Sequence, residues 1–218
     1  MIIGVLDSGI GGKGIEAEIK KLLPAVKTIY FNDHENFPYG SKSVDNLHKI
    51  LANNVQELIG QGVEAIVLAC NSATVSSIDY LREKFDLPFI GAVPVLKPAA
   101  QLTKTKHIAL FATPITCASG WVDDLIKNFC QGVEVEKVAF ENLAFEIENG
   151  EIEKAKKDVE SVWQKYKNSS IDTIVLGCTH YPLIRNEIQA IVGPNIKLLD
   201  SEHAVALQVE KLYNNSIK

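Results

Sequence analysis

The sequence predicts an α/β protein made of two similar α/β domains with mainly parallel sheets related by a pseudo-twofold. Three observations carry this prediction. Short apolar runs of strand length alternate with segments long enough for helices, which is the pattern of β-α-β units. The same order of segments recurs about halfway along the 218 residues. The matched strands each end in a cysteine, Cys70 and Cys178, at the carboxyl end where ligands of open α/β sheets bind.

Taken in order, Ile2 to Leu6 is an apolar run of the kind that forms a buried parallel strand, and Asp7-Ser8-Gly9-Ile10-Gly11-Gly12 is the turn that leads to a helix from about Ile15. Thr28 to Phe31 reads as a second strand and Val44 to Ile59 as a long helix. Val63 to Ala69 reads as a third strand ending at Cys70-Asn71-Ser72-Ala73-Thr74, and Phe89 to Val93 as a fourth. The second half repeats the plan. A strand at His107 to Phe111 is followed by Ala112-Thr113-Pro114-Ile115-Thr116 and a helix from about Ser119. A strand follows over Glu134 to Phe140, then a helix over Glu151 to Tyr166, then a strand over Ile171 to Gly177 that ends at Cys178. Val63 to Cys70 overlays Ile171 to Cys178 at an offset of 108 residues, and Ile3 to Leu6 overlays Ile108 to Phe111 at 105. Duplication explains two nearly equal offsets. It also explains a thiol after both matched strands, which chance recurrence of Ile-Val-Leu runs does not.

The expected domains are residues 1–95 with about 205–218, carrying Asp7 and Cys70, and residues 96–204, carrying Cys178 and His180. The Val93-Pro94 and Lys97-Pro98 steps suggest a linker over residues 94–98. Each sheet is expected to be mixed but largely parallel.

Composition narrows the class of function. Apolar residues make up 46% and charged residues 22%, ordinary globular usage, and the net charge is −5 with only two arginines, Arg82 and Arg185. That balance gives no electrostatic footprint for nucleic acid or for an anionic membrane surface. The first apolar run meets Asp7 too early for a signal peptide, and no stretch approaches the ~20 apolar residues of a spanning helix. The expectation is a cytoplasmic protein with reduced thiols and no cysteine pair at zinc-type spacing, hence no metal. Gly9, Gly11 and Gly12 lack the G-x-G-x-x-G spacing of dinucleotide folds, so a nicotinamide cofactor is not expected either.

Two thiols facing one small ligand from opposite sides suit removal of a proton from one face of a carbon and return of a proton to the other. A free thiol has a pKa of about 8.5, so each needs a neighbour or a helix N-terminus to act as a base near neutrality. Asp7 is placed to work beside Cys70, and His180 beside Cys178. In Cys178-Thr179-His180-Tyr181-Pro182, Pro182 stands where it can start a helix whose amides favour an anion. Such amides and hydroxyls can hold a carboxylate substrate without an arginine clamp.

Four segments in order, Asp7 to Gly12, Phe37-Pro38-Tyr39-Gly40, Ala69 to Thr74 and Gly177 to Leu183, resemble the signature blocks of glutamate racemases, within the aspartate/glutamate racemase family. The resemblance covers almost the whole chain. It implies a cofactor-independent, two-base isomerase that interconverts L- and D-glutamate and supplies the D-isomer for peptidoglycan, with its active site between the two domains. It further implies that Cys70 takes the α-proton of the D-isomer and Cys178 that of the L-isomer, assisted by Asp7 and His180. Ser8, Pro38, Tyr39, Gly40, Asn71, Thr74 and Thr179 would cradle the substrate, the short side chains from turns just beyond strands, with Tyr39-Gly40 closing one side. The family's further glutamate falls at Glu148. A second copy of the chain, in a homodimer, is the one macromolecular partner kept in view.

Some features depart from the pattern. Lys13-Gly14 follows the glycine turn where apolar or small residues are common, Ser72 stands where threonine is usual, and the chain looks short for the family. Blander readings apply elsewhere. Cys117 and Cys130 read as buried small hydrophobes, His34, His48, His107 and His203 as surface or packing residues, and Glu146, Glu148, Glu151 and Glu153 as a cluster of the kind that usually forms a solvated helix face. Aspartate racemase, one methylene shorter in substrate, is the nearest competing activity. A catalytically silent member of the fold that binds an amino acid or a protein is the competitor from another class.

Overall fold

The computed structural model describes residues 1–216; the last two residues of the expected first domain, 217–218, lie outside the described residues. The chain divides into two compact units, Met1–Val93 joined by the C-terminal segment from Ser201, and Pro94–Asp200.

In the first unit β1 (Ile2–Asp7) leads through the glycine turn into α1 (Lys13–Leu22), then β2 (Lys27–Asn32), α2 (Val44–Gly60), β3 (Ala65–Leu68), α3 (Asn71–Lys84) and β4 (Phe89–Gly91). In the second, α4 (Leu96–Leu102) precedes β5 (His107–Ala112), α5 (Pro114–Cys117), α6 (Gly120–Phe129) and β6 (Glu134–Ala139). There follow α7 (Leu143–Glu148), α8 (Ile152–Trp163), β7 (Thr173–Gly177), α9 (Arg185–Val192) and β8 (Lys197–Leu199). Helix α10 (Glu202–Ser216) belongs to the first unit. It packs Val205, Ala206 and Val209 into the cluster formed by Ile3, Val5, Ile15 and Ile19.

The sheets have the orders β2-β1-β3-β4 and β6-β5-β7-β8. β1 and β5 are displaced by 105 residues and Ala65 and Thr173, which open β3 and β7, by 108, the two offsets visible in the sequence. Every ladder is parallel rather than mixed. The reason is that every strand-to-strand step within a unit is long enough to carry a helical crossover, and a parallel pair needs such a crossover. β1, β3, β5 and β7 lie inside their sheets, and their runs are accordingly buried almost throughout.

The local differences from expectation have simple causes. The region expected as a linker contains α4. Pro98 falls in its first turn, where the proline's missing N–H would have had no intrahelical partner, so the helix tolerates it. Pro182 opens a 3-10 turn, Tyr181–Ile184, and the α-helix begins only at Arg185. β8, only three residues long, is a strand not expected from the sequence, although Leu198 and Leu199, with Ile196 just before it, make the stretch largely apolar. Asp172 ties the start of β7 to the loop after α4. Burial alone would raise its carboxyl, but hydrogen bonds from Thr103, the Lys104 and Thr105 amides and the Thr173 hydroxyl bring it down to about 2.

The core of the second unit centres on Phe111, fully buried and packed edge-on against Phe140 and Trp163 at centroid distances of 5.1 and 6.3 Å. Phe111→Ala removes that ring from the middle of the sheet, and urea unfolding should show a loss of about 3–5 kcal/mol. A loss under about 1 kcal/mol would mean the site collapses around the gap.

Candidate active site

In both sheets the chain goes from its first strand to one side, then crosses to the other. The helices following β1 and β3, and those following β5 and β7, therefore lie on opposite faces. Beyond the carboxyl ends of such neighbouring strands lies the crevice where open α/β sheets bind ligands. In the first unit these positions hold Asp7-Ser8 and Cys70; in the second they hold Thr113 and Cys178-Thr179-His180.

Register fixes the first set. Leu6 pairs with Leu68, and Ala69 N–H donates to the Leu6 carbonyl at 2.8 Å, so Asp7 and Cys70 leave adjacent strands within one residue of the same level. Asp7 is wholly buried and accepts from the Ser8 amide at 2.7 Å. Gly12 is required here by close approach: a Cβ on it would stand 2.8 Å from Ala69 Cβ and 2.9 Å from Asp7 Oδ2. Cys70 is buried and is the N-cap residue of α3, so its backbone opens the helix whose N-terminal amides favour an anion.

Tyr39 lies in the same cluster, near enough to Cys70 and Asp7 for their charges to add to its shift. Burial first, and then the hydrogen bond to Asp33, holds its hydroxyl well above the usual range. That hydroxyl points inward. It donates to Asp33 Oδ2 at 2.6 Å, and Asn54 Nδ2 donates to the same carboxylate oxygen at 2.7 Å, with Asn36 Nδ2 at 2.9 Å from Oδ1. Tyr39 is 1% exposed and anchors the loop from within, while Pro38 and Gly40 are half-buried beside it. Asp33 and Asn54 thus hold Tyr39 of the candidate site in place, a role the sequence reading missed. A buried acid one residue beyond a strand, upstream of a tyrosine that must be buried, was the available signal.

Asn71 and Thr74 are placed differently from expectation. They lie in the first turn of α3, not in a turn beyond the strand. Thr74 Oγ1 donates to the Leu68 carbonyl at 3.1 Å and its methyl rests against Gly91, where a Cβ would come within 2.3 Å. Asn71 Nδ2 donates to the Ala92 carbonyl at 3.0 Å, leaving its buried Oδ1 as an acceptor with no hydrogen-bond partner.

The second unit assembles a chain of groups. Cys178 Sγ lies 3.9 Å from His180 Nδ1, and His180 Nε2 lies 2.7 Å from Glu148 Oε2, with the His180 and Glu148 side chains both almost wholly buried. With Nε2–H donating to the carboxylate, Nδ1 keeps its lone pair toward the thiol and can take its proton. Glu148 then stabilises the imidazolium, the logic by which a nucleophile, a base and an orienting acid act together. Glu148 ends α7, and the neighbouring Glu146 is buried rather than solvated. Burial raises its carboxyl, helped by Asp158 and Glu151. Thr179 is buried next to Cys178. Thr113 donates to Thr116 at 3.1 Å, Oγ1 to Oγ1, just past β5, and both are buried. Thr113 occupies the place that Ser8 holds in the first unit, so the repeat, followed one strand further, could have found it.

The other two cysteines are set apart. Burial pushes the Cys117 thiol up to about 11 and raises that of Cys130, so neither is poised as a thiolate near neutrality.

Three comparisons bear on this arrangement. The family model described as Asp/Glu/Hydantoin racemase matches residues 13–209. A glutamate racemase of Clostridium novyi is 37% identical over 216 residues, covering 97% of this chain and 83% of that protein. Among solved structures, Escherichia coli glutamate racemase in complex with L-glutamate and an activator superposes with a TM-score of 0.89 at 32% identity, covering 97% of this chain and 81% of that one. The Francisella tularensis glutamate racemase in complex with D-glutamate gives 0.82 at 29%, covering 98% and 81%.

Proposed function

The chain belongs to the Asp/Glu/hydantoin racemase family, and from that premise we propose that it interconverts L-glutamate and D-glutamate by exchanging the α-proton with two cysteines. The observation that carries the reading is the buried Cys178-His180-Glu148 chain, matched in the other unit by Cys70 at the N-cap of α3 beside Asp7.

In the direction from L to D, the Cys178 thiolate takes the α-proton while the Cys70 thiol delivers its own proton to the opposite face of the carbon. The reverse direction exchanges the roles. His180, oriented by Glu148, accepts and returns the proton that poises Cys178, and Asp7 does the same for Cys70. A developing carbanion beside a carboxylate calls for fixed donors, and Ser8, Asn71, Thr179 and Thr116 are taken to supply them from the turns and helix starts beyond the strands, while Thr74 and Thr113, whose hydroxyls donate to the Leu68 carbonyl and to Thr116, shape the cradle. Pro38, Tyr39 and Gly40, braced by Asp33 and Asn54, shape the loop on the first unit. The reaction as proposed needs no added cofactor, and its product is the D-glutamate that peptidoglycan uses.

No helix among the described residues is long and apolar enough to cross a membrane. The reading takes the protein to act in the cytoplasm on the free amino acid, with a second copy of the chain as its expected partner.

Circular dichroism of L- or D-glutamate incubated with the protein and no added cofactor should decay to zero from either side, and L-aspartate should change far more slowly. Glutamate should also shield Cys70 and Cys178 from alkylation, with Cys117 and Cys130 unreactive throughout. Optical activity that persists with glutamate but decays with aspartate would replace the substrate. Persistence with both would favour a binding protein.

A further inference from the structure

At the far end of the second sheet, away from Cys178, three side chains converge that play no part in this chemistry. His107 opens β5 and pairs in register with Glu134 on β6, and Glu136 lies two residues further along β6, so all three project from one face of the sheet. His107 Nε2 stands 4.0 Å from Glu134 Oε2 and 3.8 Å from Glu136 Oε1, and the three atoms all lie within 4.8 Å of one another. His107 is 9% exposed, and its Nε2 is buried without a hydrogen-bond partner. Its other nitrogen, Nδ1, is 3.0 Å from Ser170 Oγ.

We propose that His107, Glu134 and Glu136 form a binding site for a divalent transition ion of the zinc class. With Nδ1–H donating to Ser170, Nε2 carries the lone pair, the tautomer in which a histidine ligates. A hydrogen bond on the far nitrogen is the usual support of a metal-bound imidazole. That lone pair faces two carboxylates, an arrangement that repels unless a cation lies between them. Nitrogen and carboxylate ligands at about 2.0–2.2 Å from a tetrahedral ion stand roughly 3.4 Å apart. The present separations, 3.8 and 4.0 Å to the imidazole and all within 4.8 Å, close to that value when the two glutamates swing toward His107 and toward each other by roughly an ångström. Glu134 is exposed and Glu136 half-buried, so both have room to do so. One imidazole with two carboxylates suits zinc, cobalt or nickel better than magnesium or calcium, which favour all-oxygen sites. The remaining coordination position would be open to water.

The fold gives such an ion a structural task. β6 is the edge strand of its sheet, and the three ligands bridge it to β5 at the amino ends of the strands. Six residues of strand, about 20 Å, separate that end from the carboxyl end where Thr113 follows β5. The ion would pin the edge rather than touch the reaction.

Titration of the full-length protein with Co²⁺, followed by visible absorption, tests this. The expected result is one equivalent bound, with d–d bands but no thiolate charge-transfer band, displaced by Zn²⁺ and not by Mg²⁺, and a melting temperature that rises with metal concentration. Glu134→Gln with Glu136→Gln should abolish binding while leaving the melting temperature in chelator unchanged. Ser170→Ala should weaken binding by roughly 10–100-fold through the imidazole it orients. Binding that survives in the double glutamine variant, or that shows a thiolate band, would move the metal to the cysteines and overturn the site. Absence of binding at millimolar Co²⁺ would also overturn it.

Discussion

Cys70→Ser and Cys178→Ser should each lower kcat/KM for glutamate by at least the upper part of the ~10²–10⁴-fold that a positioned proton-transfer group contributes. Serine keeps the size of the side chain and the N-cap backbone, but its hydroxyl is a far weaker acid and does not supply the anion. Because the two enantiomers have equal free energy, kcat/KM must fall by the same factor from either side. The direction of the damage is therefore read from isotope effects. Weakening Cys178 makes proton removal from the L-isomer harder, so the effect of α-deuteration should grow with L-glutamate as substrate; weakening Cys70 should do so with D-glutamate. In deuterated water the wild-type product should carry solvent deuterium at the α-carbon. Product that keeps its original hydrogen would overturn the two-thiol scheme outright.

His180→Asn and Glu148→Gln form the second test, and their effects should be unequal. In the proposed mechanism His180 exchanges a proton with Cys178, so its loss should cost within the same ~10²–10⁴-fold range. Glu148 touches His180 and acts through it, so Glu148→Gln should cost less, on the order of 10²-fold. It should also change the pH profile, since an amide cannot stabilise the imidazolium as the carboxylate does. With both partners changed, the loss should fall well short of the product of the two single losses, because the groups act as a unit. KM should move less than kcat in both variants. Full turnover in Glu148→Gln would reduce the 2.7 Å contact to a structural ion pair.

The two tests differ in how far the sequence could have set them up. Cys70 and Cys178 were legible because each ends an apolar run, and the runs overlay at one offset. Asp7 and His180 followed from their closeness in sequence to a strand end. Glu148 was not legible from its surroundings. Four glutamates between residues 146 and 153 look alike in sequence, yet burial of α7 against the second unit's core turns Glu148 inward to His180 and buries Glu146 without a site.

Local pattern therefore determined what depends on period and chain direction: the parallel strands, the two matched halves, and the carboxyl-end positions of the cysteines. It even carried the placement of His107 at the head of β5. The tertiary structure alone decided which polar groups meet across long separations. Asp33 with Tyr39 and Asn54, Glu148 with His180, and His107 with Glu134, Glu136 and Ser170 are all such meetings. The physical reason is that an apolar run must be buried wherever the chain places it, so its pattern is written locally. A buried polar group instead needs one particular partner, and that partner is chosen by register and helix packing, which no spacing along the chain records.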